Sequence, residues 1–109
     1  MIDSELNSFK RKYFNISKFP QRNIIRHDSI TSFEHRELVN RICNWLWSLG
    51  YDYYTRVYTK HGEIIDIVAP ELPKPFIEVR HSESEEKKYN HEFDDLRIFV
   101  DTSDPYKLL

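Results

Sequence analysis

The sequence predicts an α/β domain, a four-stranded mixed sheet flanked by helices in the order α-β-β-β-α-β. Three observations carry that prediction. Residues 32–49 hold a sustained helical period of apolar side chains. After Gly50 the pattern changes to strand-favouring residues. Beyond a proline-rich break, two more strand-like runs flank a polar, helix-tolerant stretch.

Residues 3–14 suit a short helix capped by Asp3 or Ser4, with Leu6, Phe9 and Tyr13 at helical spacing. Pro20 breaks the pattern, and 17–30 reads as a loop or arm. Thr31-Ser32-Phe33-Glu34 has the form of a capping box, the Thr hydroxyl satisfying a first-turn amide while Glu34 reaches back. Leu38, Ile42, Trp45, Leu46 and Leu49 then recur at the helical period, with Glu37, Arg41, Asn44 and Ser48 opposite. Gly50 supplies the left-handed stop. Tyr51 to Thr59 and Glu63 to Ala69 predict a hairpin turning at Lys60-His61-Gly62. Pro70, Pro73 and Pro75 hold 70–75 out of the sheet. Phe76 to Arg80 is a third strand, 84–95 a helix, and Arg97 to Asp101 a fourth strand.

The 109 residues fit one domain, residues 31–109, preceded by a basic helix or arm, residues 1–30. That segment carries six Lys/Arg against three Asp/Glu, whereas residues 83–109 carry four against eight. Lys10, Arg11 and Lys12, with Phe9, Tyr13, Phe14 and Phe19 between the charges, suit phosphate contact with base stacking. An amphipathic helix with a solvated basic face is the plainer reading. A net charge of −2 is too neutral for a passive nucleic-acid coat. One cysteine, Cys43, excludes an internal disulfide framework and a multi-cysteine zinc site, and it suits core packing. No run approaches the roughly 18 apolar residues of a membrane span, and Met1 to Glu5 does not resemble a signal peptide. An intracellular, cytoplasmic protein is expected.

The chemistry concentrates at two strands. Asp66 sits within Ile64-Ile65-Asp66-Ile67-Val68, where a carboxylate costs several kcal/mol unless paired, hydrogen-bonded or bound to a cation. In Phe76-Ile77-Glu78-Val79-Arg80, Glu78 and Arg80 share one strand face. Pairing of these strands would bring Asp66 and Glu78 to one metal-sized spot, where hard oxygen ligands select Mg²⁺ or Mn²⁺.

This arrangement resembles the PD-(D/E)xK, or restriction-endonuclease-like, nucleases. Its members show a helix, a hairpin with a buried Asp, a short gap, Glu-x-Lys on a strand, then helix and strand. His35-Arg36-Glu37-Leu38 followed by Leu49-Gly50-Tyr51 looks most like the archaeal Holliday-junction resolvases. The resemblance covers roughly residues 31–101. It implies a metal-dependent nuclease acting on DNA, with Asp66 and Glu78 as metal ligands and an acidic residue of the first helix assisting. Arg80 stands where the family has Lys; a guanidinium cannot take a proton from water, although it stabilises charge. His35 aligns with the family's helix Glu, while periodicity favours Glu34, one turn before Leu38, as the assisting acid.

Several positions have a plainer alternative. Asp66 and Arg80 could form a structural ion pair. His81 could touch phosphate or be a solvated strand-end residue. Lys87 and Lys88 could replace the missing Lys or form a charged helix face. His27-Asp28 could be a ligand pair or an ordinary loop dipeptide. Trp45 and Trp47 cannot both face inward, so one is free for a surface or subunit contact, and a homodimer is expected. The expected function is a Mg²⁺- or Mn²⁺-dependent DNA nuclease, branched DNA included. The alternative is a degenerate nuclease-fold module that binds nucleic acid or protein.

Overall fold

The computed structural model describes residues 1–80 and 93–101. Helix α1 spans Asp3–Tyr13 and α2 spans Phe33–Ser48; the strands are β1, Tyr54–Tyr58, β2, Ile64–Val68, β3, Phe76–Arg80, and β4, Arg97–Asp101. The sheet order is β1-β2-β3-β4. The first three strands run antiparallel and β4 is parallel to β3, giving the expected four-stranded mixed sheet. The helix expected over 84–95 lies mostly outside the described residues, with a 3₁₀ turn at Asp94–Leu96 leading into β4. No described helix is long and apolar enough to cross a membrane.

Each sheet face has its own core. On one, α2 sets Leu38, Val39, Ile42, Cys43 and Leu46 against Ile67, Ile77, Val79 and Val100. Cys43 is fully buried, and that burial pushes its thiol up to about 12, so it packs as a small hydrophobe. Trp45 packs partly against this core, whereas Trp47 faces solvent. The other core is aromatic: Phe14, Tyr54 and Phe76 pack with Phe9, Tyr13, Phe19 and Phe93. Their rings meet edge to face, Tyr13 and Phe76 at 5.4 Å between centroids and 87°. The aromatics of the first 30 residues therefore cover the sheet, and are not splayed for base stacking. Lys10 lies over the Phe19 ring at 4.6 Å, while Arg11 and Lys12 remain exposed on α1.

The start of α2 differs from the sequence expectation by one residue. Ser32 is the cap, its hydroxyl accepting from the His35 amide at 3.1 Å. The Thr31 hydroxyl instead donates to the Asp28 carbonyl. The third helical residue is thus His35 rather than Glu34, and the capping box does not form. Downstream, Gly50 takes φ +83° at the helix end and Gly62 φ +88° in the hairpin turn.

The segment before α2 is pinned along β1, the sheet's edge strand. The Asn23 amide donates to the Tyr53 carbonyl at 2.8 Å, and the Thr55 hydroxyl bridges the Ile24 carbonyl and the Arg26 amide. It covers the otherwise open edge and forms one wall of a cleft.

Candidate functional site

The two acids lie where the sheet comes apart. The β2–β3 ladder pairs Ile67 with Ile77 and Val68 with Phe76, and ends there. Where the next pair would be, side chains replace backbone partners. The Asp66 amide donates to Glu78 Oε1 at 3.3 Å, and the Val79 amide donates to Asp66 Oδ2 at 2.8 Å. Each acid therefore satisfies a main-chain donor that the fork would leave buried and unmet.

Alternation also breaks at this point. Ile65 and Val68, three residues apart, both enter the aromatic core, as do Tyr54 and Val57 on β1. Regular strands place only residues two apart on one face. On β1 the break is made by Arg56, which takes φ +52°, a left-handed conformation rare for a long side chain. The Arg26 guanidinium caps the flanking carbonyls of Thr55 and Arg56 at 3.1 and 3.2 Å. As a result, Arg56 and Asp66 both line a cleft of about 170 Å³ under α2, together with Arg26, His27, Asp28 and His35.

Within the cleft, His35 Nε2 approaches Asp66 Oδ2 at 3.5 Å, and its buried Nδ1 has no hydrogen-bond partner. Arg56 pairs with Asp28 at 3.3 Å, and His27 Nε2 meets Asn40 Oδ1 at 3.1 Å. Of the expected site residues, Glu34 is exposed and is not among those lining the cleft. His35 is the α2 residue brought to Asp66.

Glu78 and Arg80 do share a face, as alternation requires, and that face is the aromatic one. Phe76 pairs with Arg97, Glu78 with Phe99, and Arg80 with Asp101. Glu78 Oε2 takes a close hydrogen bond from Arg97, whose other terminal nitrogen reaches Glu63 Oε1 at 2.8 Å. The Arg97 side chain is 0% exposed. Burial, and then the charge of Asp66, push the Glu78 carboxyl up to about 8 against the opposing pull of Arg97. Arg80 stacks on the Phe99 ring at 4.8 Å, and Asp66 has His35 as its ionic neighbour, so an Asp66–Arg80 pair does not form. His81, Lys87 and Lys88 lie outside the described residues.

The donor set does not fit a divalent ion as it stands. Glu78 commits both oxygens, one to the Asp66 amide and one to Arg97. Among the described residues, no group of three or more His, Cys, Asp or Glu side chains is arranged to hold a metal. Sequence reasoning missed Arg97, Glu63 and Arg56. Arg97 opens the fourth strand between Leu96 and Ile98, a weaker signal than that of Asp66 because Asp94 and Asp95 lie just before it. Arg56 gave no signal, because no glycine or asparagine marks the left-handed position in the sequence. No family model, curated protein or solved structure matches this chain.

Proposed function

We propose that this chain is a nuclease-like domain that binds DNA and has exchanged the catalytic metal for an internal cation. One observation carries the reading: Arg97, fully buried, sits between Glu78 and Glu63, a built-in cation held by the very acids a metal ion would use. An α2–β1–β2–β3–β4 order with a parallel last strand supports a restriction-endonuclease-like core. Asp66 beside a cleft holding Arg26, Arg56 and two histidines supports an anionic ligand, and a phosphodiester matches that charge. Arg80 in place of Lys and an exposed Glu34 point the same way. A homodimer joined through the exposed Trp47 and Leu49 belongs to the same proposal.

The second reading, a Mg²⁺- or Mn²⁺-dependent nuclease, is favoured by the fork itself, which sets Asp66 and Glu78 against each other's backbone. The ion would have to displace Arg97 and the Glu78 proton, so its binding would tighten as pH rises. Labelled duplex, single-stranded and four-way-junction DNA, titrated in chelator and again in Mg²⁺ or Mn²⁺, separates the two. The binding reading expects association without divalent ions and no cleavage by the parent or by Arg80→Lys. Cleavage that Asp66→Asn abolishes would establish the nuclease instead. No association with any of these DNAs would overturn the binding reading.

A further inference from the structure

Arg26 borders two concavities. One is the Asp66 cleft; the other is an open groove of about 330 Å³ lined by Lys18, Phe19, Pro20, Gln21, Ile24 and Arg26, with Ser17 at its rim. The two differ in charge. The cleft mixes Arg26, Arg56, His27 and His35 with Asp28 and Asp66, whereas the groove holds two cations and no carboxylate. Lys18 and Arg26 are exposed, and Lys18 extends over the Tyr58 ring at 5.0 Å. Between them Ile24, 46% exposed, presents an apolar surface beside Phe19 and Pro20. Cations spaced around an apolar platform suit a chain that alternates phosphates with flat bases. The wall is firm, because Asn23, Ile24 and Arg26 are tied to β1 through Tyr53 and Thr55.

We propose that this groove holds the nucleotide next to the one in the Asp66 cleft, so that a single nucleic-acid strand crosses Arg26 from cleft to groove. Lys18 neutralises the groove phosphate, Ile24 lies under the base, and Arg26 serves both steps. The proposal rests on the DNA-binding reading above and adds a path and a preference for single strands. Arg26 also holds the Thr55 and Arg56 carbonyls, so it is a poor probe. Lys18 and Ile24 are exposed, and changing them leaves the cores intact.

The test is fluorescence anisotropy of a short labelled oligothymidylate, and of the matching duplex, across a salt series. Lys18→Ala should reduce the salt slope by about 0.7, the loss of one single-strand phosphate contact. Ile24→Trp should tighten oligothymidylate binding about fivefold or more by providing a stacking surface. Thermal unfolding of both variants should match the parent. If the parent binds and neither variant shifts slope or affinity, the groove proposal fails while the DNA-binding reading survives. Equal or larger effects on the duplex would also overturn the single-strand path. A parent that binds neither DNA overturns both.

Discussion

Asp66 and Glu78 face each other across the same fork, yet they live in different solvents. Asp66 opens on a cleft beside His35 and Arg56, with its side chain 23% exposed. Glu78 turns to the aromatic side, 13% exposed, and is held by a guanidinium that sees no water. Two acids on neighbouring strands divide into one that opens on a cleft and one committed to the fold. The difference teaches that two acids spaced like a ligand pair can carry separate tasks. Solvent access and the nearest cation decide which task each takes.

The largest test breaks the buried half. Arg97→Met leaves Glu78 and Glu63 without their cation, and it should cost about 3–5 kcal/mol in chemical denaturation. Adding Glu78→Met should recover most of that loss. A single variant as stable as the parent would show that Arg97 is not what holds Glu78.

A second test uses protons. Folded Glu78 keeps its proton to about 8, whereas the unfolded chain releases it near 4.5. In between, the fold binds the extra proton, so this group's stabilisation is full below 4.5 and is lost as pH rises through 8. Denaturation at a series of pH values should show Glu78→Gln declining less steeply than the parent over that window. Parallel curves would mean Glu78 is ionised throughout.

On the open half, Arg56→Gly relieves a left-handed residue at φ +52° and loses a half-exposed pair with Asp28. Relieved strain of about 1–3 kcal/mol is offset by a lost pair of about 1 kcal/mol or less and by glycine's greater unfolded-state entropy, so thermal stability should stay level or rise slightly. DNA affinity should fall, separating a residue kept for binding from one kept for folding. A marked loss of stability would reverse that assignment. The smallest effect is expected at Glu34→Gln, exposed and outside the cleft: unfolding and DNA titrations should both overlay the parent.

The sequence by itself determined the main elements. Apolar period located α2, Gly50 its end, Gly62 the hairpin turn, and alternation the shared face of Glu78 and Arg80, because these are local properties of the backbone and its side-chain spacing. It also singled out Asp66, since an acid among β-branched neighbours is conspicuous in any context. Only the tertiary structure decided what the acids touch. The buried stripe of α2 includes Val39, one turn after His35, which puts His35 rather than Glu34 at the site, and a fork in the sheet turned Asp66 and Glu78 to different neighbours. The first helix's aromatics went into a second core for the same kind of reason: the uncovered face of the sheet needed apolar cover, and that need is invisible from the helix's own composition. Arg97 lies 19 residues from Glu78 in the chain and reaches it only because β3 and β4 run side by side.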